Sequence, residues 1–272
     1  MSSFHAGRRL LVIAAGALTA LAMLAPVAHG ATPLPGYTQF AGCPTQAENP
    51  AVESCIRSTI TGGHFKMGSK NVPIKNPIAL TGGRLFNGDI IWNSEGGLSP
   101  SKQEVPGGLV GLTGLDWLIN VLNAEQLKVY AVTETVGTPN LDTELRLPIR
   151  VHLINPVLGN NCYVGSAANP ISLNMITGTT SPPPPNAPIT GKEAEFSFDE
   201  ATSIIHLDNG VFVDNSFAAP AAKGCVLNVG PIPLNVDALV NIQSGLPSPA
   251  GTNETVQNWE AEITAPETVY GP

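Results

Sequence analysis

Three histidines lie beyond the first thirty residues: His64, His152 and His206. Imidazole is the side chain best suited to proton transfer near neutrality and to holding transition metals. None of the three stands in a spacing that does either. There is no H-E-x-x-H pair, no G-x-S-x-G elbow, no phosphate-binding G-x-x-x-x-G-K and no dinucleotide-binding G-x-G-x-x-G. His152 falls on the polar face of an alternating segment and reads as a solvated residue. His206 shares a face with Ile204 and Asp208, and His64 follows the pair Gly62-Gly63. No catalytic residue, metal site or cofactor is assigned from these.

Carboxylates come closer to a pattern. Glu193, Glu195, Asp199 and Glu200 cluster before Ile204. Two acids placed about 5–10 Å apart could cleave a glycoside, but a solvated strand face accounts for the same spacing. Asp208, Asn209, Asp214 and Asn215 could offer oxygens to calcium, yet they match no calcium-loop spacing, and turn chemistry explains them better. Trp92, Trp117 and Trp259 could line a sugar-binding surface. Trp117 sits in an apolar helical pattern and is expected in the core. Trp259, flanked by Asn258 and Glu260, is expected at the surface. Asn253-Glu254-Thr255 fits a glycosylation sequon.

The four cysteines are Cys43, Cys55, Cys162 and Cys225. An even count in an exported chain predicts disulfides, and four cysteines allow three pairings. The favoured pairing is Cys43–Cys55, which closes a short loop around Asn49-Pro50, with Cys162–Cys225 pinning two distant β-rich segments. The C-x-x-C spacing of zinc sites is missing.

The elements that must position these residues are mostly strands. Leu145 to Leu153 alternates apolar and polar residues strictly, the pattern of an antiparallel strand with one face on a core. Pro148 within it cannot donate to a ladder, which predicts an edge or a bulge. Further strands are expected over 58–67, 72–80, 85–92, 127–136, 171–176, 193–198, 204–207, 211–213, 225–229 and 256–263. Asp208-Asn209-Gly210 reads as the tight turn of a hairpin between two of them. Helical periodicity occurs at 114–123 and 235–245, the second with Asn235 as N-cap and Gly245 as its end. The two share Asp-x-Leu-(Ile/Val)-Asn-(Val/Ile), at 116–121 and 237–242. The four prolines Pro182–Pro185 read as a stiff exposed loop.

The fold class expected is therefore mainly β: an antiparallel β-sandwich or open barrel with one or two short helices. Residues 1–30 read as a signal peptide, with Arg8-Arg9, an uncharged apolar run over 10–24, and small residues ahead of a cut between Gly30 and Ala31. Residues 31–57 read as an irregular segment carrying the short disulfide loop, and 58–272 as one β-sandwich-like domain. No other apolar stretch is long enough to span a membrane.

Composition narrows the class. Charged residues make up 12%, against about 25% in an ordinary soluble domain, with 28 Gly and 25 Pro. Residues 1–30 hold two arginines and no acid, so the remainder carries 11 basic and 21 acidic residues and a net charge of −10. That sign excludes nucleic acid as a partner.

The phrases Val151–Ser166, Thr177–Asn186, Asp214–Ala218 with Gly224-Cys225, and Gly245–Gly251 together resemble a family of uncharacterised secreted actinobacterial proteins. The resemblance covers most of the chain after residue 30. It implies export and an actinobacterial source, and carries no activity. The function expected is a secreted, possibly envelope-retained, structural or interaction protein with an extracellular or cell-surface partner. A hydrolase acting on wall or extracellular glycans is one alternative. An envelope lipid binder or pore is another, suggested by low charge and the apolar stretch 105–122.

Overall fold

β-branched and aromatic residues in alternation, cut by glycine and proline, produce two antiparallel sheets. The structure, a computed structural model, describes residues 31–271; the signal-peptide reading of 1–30 lies outside them. The first sheet takes β1 (Val52–Met67), β2 (Lys70–Pro73), β3 (Ile78–Leu85), β4 (Ile90–Ile91) and β5 (Gly97–Leu98). The second takes β6 (Lys102–Glu104), β7 (Tyr130–Thr135), β8 (Asn140–Leu141), β9 (Leu145–Ile154), β10 (Tyr163–Val164) and β11 (Ile171–Met175). The chain returns to the first sheet with β12 (Glu195–Asp199) and β13 (Ile204–Asp214), adds β14 (Ala222–Lys223) to the second, and forms a small hairpin, β15 (Val226–Leu227) with β16 (Leu234–Asn235). It closes with β17 (Glu254–Thr264) in the middle of the first sheet.

The first sheet runs β12-β13-β17-β1-β3-β4, and the second β14-β10-β9-β7-β6. Both sheets end in free edge strands, so neither closes as a barrel. One core cluster joins Ile56, Leu80, Phe212 and Trp259 of the first sheet to Leu147, Ile149, Val151 and Leu173 of the second. The molecule is a mainly β, antiparallel sandwich, with 43% strand against 13% helix. Among the described residues no helix is long and apolar enough to cross a membrane.

β9 alternates as expected, with Leu145, Leu147, Ile149, Val151 and Leu153 buried. It is nevertheless a central strand, so the expectation of an edge at Pro148 is corrected. The Pro148 carbonyl accepts from the Val136 N–H just past the end of β7. The donor that proline lacks thus falls where that ladder stops.

The Asp208-Asn209-Gly210 hairpin is also corrected. The segments on either side are one strand, β13, because both pair with β17. Leu207 opposes Ala261 and Gly210 opposes Trp259, which leaves one extra residue on β13, a β-bulge. Asn209 takes the left-handed backbone, φ 57°, that the bulge demands. β1 starts at Val52 rather than 58, so Cys55 is already in the sheet. The expected strands 72–80 and 85–92 are re-divided by turns at Asn76-Pro77 and at Gly88.

Helix starts before the expected 114–123. α1 is Gly108–Thr113, ended by Gly114 at φ 69°; a 3-10 turn covers Asp116–Asn120, and α2 is Ala124–Leu127. α3 is Asp237–Ser244, ended by Gly245 as expected, with Val236 rather than Asn235 at the N-cap. The shared hexapeptide is therefore a 3-10 turn in one place and an α-helix in the other. A last short helix, α4, is Pro266–Tyr270. The disulfides Cys43–Cys55 and Cys162–Cys225 form as favoured, and the described residues hold no free cysteine. They place the folded chain in an oxidising compartment.

Candidate functional site: an apolar cleft between the sheets

The three histidines do not converge. His64 Nε2 lies 3.0 Å from Glu254 and His206 Nδ1 3.9 Å from Glu262. Those partners are eight residues apart on β17, about 25 Å at the usual strand rise. His152 is on the other sheet and is not simply solvated. It stacks on Tyr163 at 4.2 Å, faces the Asn160 carbonyl through Nε2 at 3.0 Å, and has Glu134 3.4 Å from Nδ1. Both ring nitrogens are thereby engaged. Among the described residues no group of three His, Cys, Asp or Glu is placed to hold a metal.

The acidic cluster divides as well. Hydrogen bonds from Lys192 and Asn209 hold the Glu195 carboxyl below its usual range. The Thr202 hydroxyl and the Ala201 N–H do the same for Asp199. Glu193 accepts from the Thr177 hydroxyl. Asp214 is buried and accepts from the Asn174 and Ser216 N–H groups at 2.7 and 2.8 Å. Burial pushes its pKa up. Asn215, also buried, donates to the Ala187 carbonyl. Asp214 and Asn215 thus serve backbone contacts, and Asn209 donates instead to the Glu195 carboxylate. Asn253 of the sequon is fully buried, which closes it to glycan attachment.

Two tryptophans reverse their expected places. Trp117 is 46% exposed, because α1 ends at Gly114 and the 3-10 turn aims it outward. Trp259 is only 9% exposed and stacks on Phe212, centroids 4.4 Å apart and planes 13°. Flanking polar residues misled the expectation, since on a strand they mark the opposite face.

Trp259 opens the way to the site. The inner face of the first sheet carries Trp259, Ala261 and Ile263 on β17, and Ile205, Leu207 and Phe212 on β13. Across the strands, Leu207 opposes Ala261, Ala261 opposes Ser58, and Ser58 opposes Leu80. Small side chains at the two central positions of this row leave the sheets unfilled between them. The result is a cleft of about 610 Å³, open to solvent, with Met175 and Leu145 of the second sheet on its far wall.

The cleft stays open because the first sheet outreaches the second. β12, its edge strand, turns Phe198 into the cleft. Phe196 stands two residues before it on the same face. The rings are 52% and 67% exposed. The mouth carries Glu53, Arg84, Asp142, Glu144 and Glu193. The strand at 193–198 was legible in the sequence. That its two phenylalanines would lack a covering sheet was not.

No family model, no curated protein and no solved structure matches the chain.

Proposed function

We propose that the chain is an exported binding protein that holds an apolar ligand, of the size of an acyl chain, in the cleft between its sheets. The observation that carries this is an apolar floor open to solvent and continuous with two uncovered phenylalanine rings. Exposed aromatic surface of this kind marks binding sites, and the volume falls in the roughly 300–1,000 Å³ of small-molecule sites. The reading takes up the lipid-binding alternative and takes the interaction partner to be a small apolar molecule. Export, through a leader ending near Gly30, and an actinobacterial origin are parts of the same proposal. The two disulfides support the export part.

Each methylene buried contributes about 0.8 kcal/mol, or about 8 kcal/mol for a ten-carbon chain, and subtracting about 4 kcal/mol for lost motion on association leaves binding in about the millimolar range, tighter for longer chains. Titration with the neutral fluorescent probe N-phenyl-1-naphthylamine should saturate at one site. Ala261→Trp, which fills the floor opposite Ser58, should weaken that binding at least tenfold in a protein that still melts cooperatively. Unsaturable probe fluorescence in the wild type, or wild-type binding by the folded variant, would refute the reading.

A further inference from the structure

The charges at the mouth choose among apolar ligands by their polar ends. Arg84 is the one cation among the cleft's lining residues, and it is already committed: its Nη1 ion-pairs with Glu53, and its Nε donates to the Leu141 carbonyl at 2.9 Å. Asp142, Glu144 and Glu193 then stand uncompensated. None of the three has an ion-pair partner among the described residues. The walls act in the same direction. Phe198, Phe212 and Trp259 line the cleft, and aromatic faces carry partial negative charge that attracts cations. A carboxylate or phosphate head would meet three like charges and no free cation. An ammonium head would meet three carboxylates at the mouth, with its chain on the apolar floor.

We propose that the cleft selects a single-chain amphiphile with a positively charged head. This rests on the cleft being the binding site. Each unit charge roughly 8 Å away shifts a binding constant about twofold in water, so the three together favour a cationic head about tenfold, and disfavour an anionic one about tenfold, relative to a neutral head. Exposed charges are screened by salt, so the preference must shrink as ionic strength rises.

The test is displacement of N-phenyl-1-naphthylamine by two twelve-carbon amphiphiles, dodecyltrimethylammonium and dodecanoate, both below their micelle concentrations. At low ionic strength the cation should compete at least tenfold more strongly, and the ratio should fall to about threefold or less in 0.5 M salt. The combined substitution Asp142→Asn, Glu144→Gln and Glu193→Gln should bring the low-salt ratio within about twofold of one, whatever the probe's own affinity becomes. Dodecanoate competing as well as the cation, or a ratio unmoved by the triple substitution, overturns the charge selection while leaving the apolar cleft standing. Failure of the probe to saturate the wild-type protein overturns both.

Discussion

Gly210→Ala tests the wall of the cleft most directly. Gly210 has no left-handed backbone requirement, so alanine introduces no local strain; the obstacle is Trp259, its partner across the strands. A methyl group at Gly210 would lie 2.4 Å from Cε2 of the indole, 2.5 Å from Nε1 and 2.8 Å from Cζ2. Carbon atoms in contact sit about 3.5–4.0 Å apart, so the ring must retreat by about 1 Å, which disturbs its stack on Phe212. Overpacking costs about 1–3 kcal/mol, and the disturbed stack a further 0.5–1.5 kcal/mol, for a loss of about 2–4 kcal/mol. In a domain of this size that lowers Tm by about 5–15 °C. Calorimetry reads the loss, and near-UV circular dichroism reads the displaced indole. Glycine to alanine in an unobstructed strand instead stabilises by about 0.4–1 kcal/mol through the unfolded chain. The sign therefore decides: an unchanged or raised Tm with an unchanged aromatic spectrum would show that the indole does not rest on Gly210, and that the bulge register is wrong.

Removing the disulfides should cost unequally. Replacing Cys162 and Cys225 by serine opens a span of 63 residues and should cost about 4 kcal/mol, against about 3 kcal/mol for the 12-residue span of Cys43 and Cys55. Equal or reversed losses in urea unfolding would contradict the loop argument. Asn253→Ala removes a buried amide that accepts from the Gly68 N–H and the Ser248 hydroxyl, and donates to the Phe217 and Pro249 carbonyls. It should cost about 3 kcal/mol or more, and a loss under about 1 kcal/mol would show that the amide is not the junction it looks. Asp214 has a pKa raised by burial, so its stabilising contribution is present below about pH 3.9 and is lost as pH rises through the higher folded-state value. The stability gap between wild type and Asp214→Asn should therefore narrow between pH 3.5 and pH 7, and a gap that widens over that range would reverse the assignment.

The sequence by itself determined the mainly β class, the alternating faces of β9, the end of α3 at Gly245 and the pairing of the cysteines. Each is local or nearly so: period-two patterning, a glycine cap, and the short span between Cys43 and Cys55. Tertiary structure decided what depended on a neighbour. Asn209-Gly210 has the chemistry of a hairpin turn. It became a bulge because β17, some fifty residues later, pairs with both of its flanks. Trp259 has polar neighbours whichever face it occupies, and only the position of the second sheet put it indoors. The same holds for the cleft. Ser58, Ala261, Phe196 and Phe198 are unremarkable in the chain, since a small residue makes space only where the facing wall fails to fill it. An aromatic ring, likewise, is left uncovered only where one sheet ends before the other. Burial is a property of which elements face each other, and that relation is not written in the periodicity of any single strand.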